Sequence, residues 1–371
     1  MITGGGTGGH VFPGLAVARE LLRRDPVRPI VWIGSRAGLE SRLVPAEGIR
    51  LVSLSLGGLA GKGIVTRLRS AAQALAGVLR CMARFLRDRP AAVLGVGGFA
   101  SGPACLAAVL LRVPLILHEQ NSVPGGTNRF LARFARAIAV SFDETAAALE
   151  ASRIIVTGNP VRAEFFAPAA PVAQRAETAQ PPRLKLLVVG GSRGARSINR
   201  AVAGALPGLA RWKGRLSIVH QTGEADWEEA RKAHAGAGLD SEVLPFLDDM
   251  PRRMREADLV LSRSGASAVF EIAAAGRPAI LVPFPHAAGG HQAANARSLA
   301  AAGAALVIED RELSGGRLAA ALDALLPDSQ RLRTMADAAR RLSRPDAASR
   351  IADLVEEAGA GAVATAGREG A

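Results

Sequence analysis

Residues 262–292 hold the side chains best suited to chemistry. An apolar run, 259–261, gives way to Ser262-Arg263-Ser264-Gly265-Ala266-Ser267-Ala268-Val269-Phe270-Glu271 and then to Ile272-Ala273-Ala274-Ala275-Gly276. The pattern predicts a strand, a tight turn of Ser and Gly, and a helix. Such a turn leaves the first N–H groups of the helix without intrahelical partners, backed by the positive end of the helix dipole, and that end binds phosphate. Glu271 falls about one and a half turns into the helix, too far along to face a phosphate and well placed to accept hydrogen bonds from the vicinal hydroxyls of a ribose. A second strand, 279–282, leaves through Pro283-Phe284-Pro285-His286 to Gly289-Gly290-His291-Gln292 and a further helix through Asn295. Neighbouring strand ends therefore deliver Glu271, His286, His291 and Gln292 to one edge, the edge at which open parallel sheets bind ligands. A nucleoside diphosphate asks for both features. The bland alternative is a strand–turn–helix unit that binds nothing, with Glu271 a solvated helix residue.

The elements that must position these residues recur along the chain. Met1-Ile2-Thr3 closes a first strand before Gly4-Gly5-Gly6-Thr7-Gly8-Gly9-His10 and a helix with Leu15, Ala18, Leu21 and Leu22 on one side. Gly4, Gly6 and Gly9 satisfy G-x-G-x-x-G. A dinucleotide fold places an acid at the end of the second strand to hold the ribose; the strand at 30–33 ends in Gly34-Ser35-Arg36 instead. Arg36 facing a 2′-phosphate keeps an NAD(P)-linked oxidoreductase as a rival reading. Further strands are expected at 49–54, 92–96, 115–117, 138–140 and 154–156. Their ends carry Phe99-Ala100-Ser101-Gly102, His118-Glu119-Gln120-Asn121 and, opening a helix, Gly125-Gly126-Thr127-Asn128. His10, the Phe99 loop, His118, Glu119 and Asn128 thus gather at one carboxyl edge. A second series, at 184–189, 216–221, 243–246, 259–261, 279–282 and 305–308, repeats the architecture, with Gly190-Gly191-Ser192-Arg193-Gly194 after its first member. Strands alternating with helices predict an α/β fold of two doubly wound parallel sheets.

Length and composition bound the reading. At 371 residues the chain exceeds one core of usual size. The expected organisation is an N-terminal domain at 1–160, an Ala/Pro linker at 161–183, a C-terminal domain at 184–342, a helix at 346–358 strapping back across the first domain, and a frayed tail at 359–371. No apolar run spans a bilayer and no secretory signal opens the sequence, so a protein made and kept in the cytoplasm is expected. Cys81 and Cys105, the two cysteines, give neither a disulfide framework nor metal-ligand spacing. The formal net charge of +13 calls for an anionic neighbour, although abundant Ala, Gly, Arg and Pro with no Tyr also fits GC-rich coding. Aromatics at 4%, not interleaved with basic runs, exclude nucleic acid as partner. A helix at 65–86 with Leu68, Leu75, Leu79, Met82 and Leu86 on one face and Arg69, Arg80, Arg84 and Arg87 on others reads as a core face plus a solvated face, or as a helix lying on an anionic bilayer.

The blocks Gly4-Gly5-Gly6-Thr7-Gly8-Gly9-His10-Val11-Phe12-Pro13, His118-Glu119-Gln120-Asn121, Gly158-Asn159-Pro160-Val161-Arg162, Gly190-Gly191-Ser192, Asp248-Asp249-Met250, Ser262-Arg263-Ser264-Gly265-Ala266 and Glu271-Ile272-Ala273-Ala274-Ala275-Gly276 resemble the MurG family of bacterial N-acetylglucosaminyltransferases. The resemblance implies the GT-B fold, two Rossmann-like domains facing a central cleft. It implies inverting transfer of N-acetylglucosamine from UDP-N-acetylglucosamine to the C4 hydroxyl of undecaprenyl-pyrophosphoryl-N-acetylmuramoyl-pentapeptide (lipid I), giving lipid II for wall biogenesis, cell shape and cell division. It also implies a peripheral protein on the cytoplasmic face of the membrane, with an anionic lipid surface and other wall-synthesis proteins as partners. Carried over, the donor site comprises Thr7, Gly8, Gly9, Asn128, Arg162, Ser192, the backbone of Leu247 against uracil, Ala266, Ser267, Ala268, Val269 and Phe270, Glu271 on the ribose and Gln292 on the sugar. The family has several more residues before its first Gly loop, so either the first strand is expected to be cut short at Met1 or the start is misassigned. Ala287-Ala288-Gly289-Gly290-His291 stands where many relatives carry charge.

Residue chemistry agrees with that implication. No pair of acids stands at a strand end beside an open Gly turn, and Asp248-Asp249 reads as a helix cap. Helix N-termini and Arg162 are left to neutralise the leaving diphosphate, so no metal and no cofactor are expected. Inversion needs one base at the acceptor hydroxyl. His10, ending a Gly loop and titrating near neutrality, is the first candidate and Glu119 the second. A UDP-sugar epimerase on the same architecture and a non-catalytic scaffold remain rivals. The epimerase needs no lipid acceptor and the scaffold consumes no nucleotide sugar.

Overall fold

The computed structural model describes residues 1–54, 64–167, 183–191 and 193–369, the side chains of 64–70 and 362–369 excepted. Most of the expected linker 161–183, the Gly-rich loop 55–63 and Ser192 lie outside the described residues. The chain divides into two compact units, Met1–Arg162 with Arg344–Ala371, and Ala163–Ser343.

The first unit runs β1 (Ile2–Thr3), α1 (Gly8–Arg24), β2 (Val31–Ser35), α2 (Glu40–Ala46), β3 (Arg50–Leu54), α3 (Ile64–Asp88), β4 (Val93–Gly95), α4 (Gly102–Leu110), β5 (Leu115–Glu119), α5 (Gly126–Leu131), β6 (Ala137–Val140), α6 (Asp143–Ala147) and β7 (Ile154–Val156). Its sheet has the order β3-β2-β1-β4-β5-β6-β7, every pair parallel. The central strands are almost wholly apolar and buried because helices cover both faces. In the middle of α1, Gly14 is required by close approach, since a Cβ there would stand 2.4 Å from the ring of Trp32. That indole in turn donates to Gly4 O at 2.9 Å and anchors the first Gly loop.

The second unit runs β8 (Leu184–Val189), α7 (Arg196–Ala205), β9 (Leu216–Gln221), α8 (Trp227–Ala237), β10 (Asp240–Leu244), α9 (Met250–Glu256), β11 (Leu259–Ser262), α10 (Ala266–Ala275), β12 (Ala279–Leu281), α11 (His291–Ala301), β13 (Ala305–Val307), α12 (Gly315–Leu325) and α13 (Ser329–Leu342). The order is β10-β9-β8-β11-β12-β13, again all parallel. In both sheets the order reverses beside the first strand, the point at whose carboxyl edge open parallel sheets bind ligands. Strand β10 differs from the expected 243–246: it starts earlier, on the polar residues an edge strand tolerates, and stops before Pro245, which has no N–H to give the ladder.

The last helix, α14 (Ala347–Glu369), belongs to the first unit. Ile351, Ala352 and Leu354 are buried in the same cluster as Val11 and Leu15 of α1. Helix α14 runs to Glu369, through a segment whose many alanines are the strongest helix formers. Arg24 of α1 ties the strap down, donating to Asp353 at 2.7 Å, Glu356 at 2.6 Å and Ser349 Oγ at 2.7 Å. The Arg24→Ala variant is expected to lose about 1 kcal/mol of unfolding free energy, read as a lower midpoint in urea, since the network is partly exposed and one of its partners, Glu356, keeps Arg28.

Three buried imidazoles set an acid limit on the fold. Burial lowers His118 to about 3, His220 to about 3 and His234 to about 4. His220 sits between His234 Nε2 at 3.2 Å and Asn199 Oδ1 at 3.1 Å. A histidine held neutral in the fold and free to protonate when unfolded contributes stability fully present above about pH 6.5, its unfolded value, and lost as pH falls toward the folded value. The urea midpoint is therefore expected to fall steadily from pH 6.5 to pH 4; a midpoint flat across that range contradicts the assignment.

Candidate active site

At the edge of the first sheet, the Gly loop after β1 is folded around a carboxylate. Glu40 of α2 is fully buried and accepts from Gly6 N–H at 2.8 Å and Ser35 N–H at 2.7 Å. A Cβ on Gly5 would lie 2.1 Å from that carboxyl. The G-x-G-x-x-G pattern here therefore clears room for an internal acid, which is why no acid was found at the end of β2: it comes from the following helix. Thr7 is exposed, with Gly8 and Gly9 half-buried behind it in the first turn of α1.

His10 completes that turn. Its Nδ1 lies 3.1 Å from Val96 O, just beyond β4. A carbonyl only accepts, so Nδ1 carries the proton and Nε2 the lone pair. At the end of β5, Glu119 is buried and its carboxylate is fully engaged. Oε1 accepts from Asn121 N–H at 3.0 Å and Nδ2 at 3.2 Å, and Oε2 from Gly125 N–H at 3.0 Å and Asn128 Nδ2 at 2.8 Å. Four donors suit a group that organises the loop between β5 and α5 and leave Glu119 poorly placed to take a substrate proton. Asn128, in the first turn of α5, also donates to His118 O at 3.0 Å. Arg162, at the end of the unit, lays its guanidinium 5.1 Å from the Phe12 ring centroid.

The edge of the second sheet carries the remaining candidates. Helix α10 begins at Ala266 behind Gly265, an extended N-cap without a side chain to bond the first-turn N–H groups. Ser267 Oγ in that turn is buried without a hydrogen-bond partner among the described residues. Ala266, Val269 and Phe270 are buried, while Ser267, Ala268 and Glu271 are half-buried along the face that Glu271 continues. Helix α10 ends at Gly276, in the left-handed region at φ 60°, where a Cβ would stand 2.5 Å from the Arg340 side chain. Gln292, in the first turn of α11, accepts at Oε1 from Phe284 N–H at 3.0 Å, which leaves its NH2 as the donating end. Leu247 is buried in the loop after β10. His291 turns back on its own loop, 2.7 Å from Ala288 O, and His286 packs edge-on against Phe284. Asp249 stands at the N-cap of α9 and does not cap it: its carboxylate pairs with Arg252 and Arg253, whose guanidinium charges outbid a backbone N–H.

One organising residue was not legible as such. Arg263 donates to Val282 O at 3.1 Å, Pro283 O at 3.2 Å, Asp310 at 2.6 Å and Ser197 Oγ at 2.8 Å. It thereby joins the chain after β11 to the segments that follow β8, β12 and β13. Ser264 Oγ donates to Gln292 O at 2.8 Å, and Asn295 Nδ2 to Ser264 O at 3.1 Å. The turn before α10 is thus fixed from both sides, and its free N–H groups keep their direction. The single sequence sign was a charged residue inside an otherwise small-residue turn.

The residues expected at one donor site fall into two groups. Thr7, Gly8, Gly9, Asn128 and Arg162 stand on the first unit, and Leu247, Ala266, Ser267, Ala268, Val269, Phe270, Glu271 and Gln292 on the second. Among the described residues no cluster of His, Cys, Asp or Glu is arranged to hold a metal ion, and no helix is long and apolar enough to cross a membrane.

Residues 1–140 match the glycosyltransferase family 28 N-terminal domain and residues 185–351 its C-terminal domain. The chain is 46% identical over 363 residues to the UDP-N-acetylglucosamine–N-acetylmuramyl-(pentapeptide) pyrophosphoryl-undecaprenol N-acetylglucosamine transferase of Halorhodospira halophila, covering 96% of this chain and 97% of that protein. It is 42% identical over 353 residues to the protein of the same name from Geobacter sulfurreducens, covering 95% and 96%. Among solved structures it is similar to Acinetobacter baumannii MurG, with a TM-score of 0.77, 34% identity and coverage of 96% and 98%. The UDP-GlcNAc 2-epimerase of Neisseria meningitidis matches at a TM-score of 0.66 and 13% identity, a likeness of fold alone.

Proposed function

The chain belongs to glycosyltransferase family 28, among its MurG members, and from that premise we propose that it transfers N-acetylglucosamine from its UDP form to the C4 hydroxyl of lipid I, giving lipid II with inversion of the anomeric centre. The observation that carries the reading is the uncapped start of α10, followed by Glu271. The donor's diphosphate accepts from the first-turn N–H groups and Ser267 Oγ, and the ribose hydroxyls donate to Glu271. Gln292 donates to the sugar, and the Leu247 backbone faces the uracil.

His10 Nε2 takes the proton of the C4 hydroxyl as that oxygen bonds to the anomeric carbon. The bond from that carbon to the diphosphate breaks and its electron pair leaves on UDP. The charge that builds on the leaving oxygen is met by the dipole of α10, equivalent to about half a unit charge, and by Arg162. Thr7, Gly8, Gly9, Ser192 and Asn128 are assigned to the sugars and the departing phosphates. Glu119 holds its loop in place. Incubation of the purified chain with UDP-N-acetylglucosamine and a lipid I analogue tests the reading. UDP release that depends on acceptor and persists in chelator is expected. Release without acceptor indicates an epimerase or hydrolase, and none at all indicates a scaffold.

We further propose peripheral attachment to the cytoplasmic membrane face, which places the enzyme where wall growth, cell shape and division depend on it. Support comes from the first unit, where Leu75, Leu79 and Leu86 of α3 are exposed, as are Phe130 and Phe134 at and just beyond α5, with Arg80, Arg87, Arg129 and Arg133 interspersed. Apolar side chains among arginines suit the interface of an anionic bilayer. Binding to phosphatidylglycerol vesicles in flotation is expected, weakened several-fold in Leu75→Asp/Leu79→Asp. Equal binding by parent and variant contradicts it.

A further inference from the structure

We propose that Gln120 is a positioning residue for the His10 base: its side-chain NH2 holds the Val96 carbonyl where it receives His10 Nδ1–H, and so determines which imidazole nitrogen is basic. The proposal rests on the reading of His10 as the base.

Gln120 is 1% exposed, just beyond β5. Its Nε2 donates to Val96 O at 2.5 Å and lies 3.3 Å from His118 Nδ1. The same Val96 carbonyl is the partner of His10 Nδ1 at 3.1 Å. Two N–H donors thus share one carbonyl oxygen and use both of its lone pairs. The amide cannot be turned over, because Oε1 would then face the Val96 oxygen, acceptor against acceptor. In the orientation that remains, Oε1 is buried without a partner among the described residues. A lone buried acceptor is costly, and it persists here because the other end of the amide is committed.

Gly97 supplies the room. A Cβ at that position would stand 3.0 Å from His10 Nδ1 and 3.5 Å from Gln120 Oε1, and its φ of +85° disfavours other residues independently. Beyond Gln120 the polarity of the chain of contacts is set as well. His118 Nδ1 receives the Gln120 amide, so His118 Nε2 carries its proton and faces Ser141 Oγ at 3.4 Å. The titratable groups around this point are His118 of β5, Glu119 at the end of that strand, and Glu40 of α2, whose carboxylate lies under the Gly loop at Gly6. Without the Gln120 amide, Val96 O loses its second donor, and among these contacts only the Val96 N–H bond to Thr3 O at 2.8 Å is left to fix the direction of the residue toward His10. The His10 ring then samples the tautomer protonated at Nε2, which is no base toward the substrate.

The test uses the full chain labelled with 15N in its six histidines, the His10 signals being identified by their loss in His10→Ala. In the parent protein His10 is expected as the Nδ1–H tautomer. In Gln120→Leu the Nε2–H form should become populated, and kcat should fall about tenfold with the donor KM unchanged. In Gln120→Glu a carboxylate beside the imidazoles should raise the acid limb of the kcat profile by about one pH unit or more. A Gln120→Leu protein that binds UDP like the parent and keeps the Nδ1–H tautomer overturns the proposal. If the leucine variant does not fold, an unmoved acid limb in Gln120→Glu overturns it equally. The tautomer readout is independent of turnover, so normal turnover by His10→Ala would sink the base assignment and leave the Gln120 result standing by itself.

Discussion

Replacing His10 by alanine is expected to lower kcat by about 10²–10⁴-fold, the range a positioned general base contributes, with the donor KM within about twofold of the parent because the imidazole itself is assigned to the acceptor hydroxyl and not to the donor. The expectation follows from local geometry. The ring is held by Nδ1–H to the Val96 carbonyl, so Nε2 carries the lone pair at the start of α1. Glu119, the other candidate, is buried under four donors. Its removal should therefore act through the loop between β5 and α5 and the helix start that carries Asn128, as a loss of folding stability together with activity. Steady-state kinetics with both substrates varied separates the two. A His10→Ala enzyme that turns over like the parent removes the imidazole from the chemistry.

Glu271→Ala is expected to raise the donor KM by roughly 10–100-fold, the worth of hydrogen bonds to a charged group, with kcat changed far less. Glu271 sits half-buried on α10, past the uncapped turn to which the diphosphate is assigned. In the proposed donor pose two ribose hydroxyls would donate to one carboxylate in ground state and transition state alike, so the expected loss is of uniform binding and falls on KM. Deoxyribose forms of the donor give the complementary check. Removing either hydroxyl should cost the parent enzyme affinity and cost the alanine variant little. Equal penalties in both proteins contradict the contact.

Much of this architecture was readable from residue order because parallel strands covered on both faces are nearly continuous apolar runs, and most of the runs here end in Gly, Ser or an ionisable residue. The uncapped turn at Gly265 was likewise written in its Ser and Gly content. Other features were not, and the reasons are physical. Glu40 reaches the first Gly loop from a neighbouring helix, a contact no linear spacing reports. Arg263 looks like any surface arginine until the loops after β8, β12 and β13 are folded around it. Asp249 holds the cap position, yet adjacent arginines compete for its carboxylate.

The central claim is that main-chain N–H groups at the start of α10, with Ser267 Oγ, hold the departing diphosphate. The most direct measurement is a crystal structure of the chain with UDP. The diphosphate is expected within hydrogen-bonding distance of the N–H groups of Ala266, Ser267 and Ala268, with the ribose hydroxyls on Glu271. A diphosphate seated instead in the Gly loop at Gly4-Gly5-Gly6, where Glu40 already bonds the Gly6 N–H, would contradict the account.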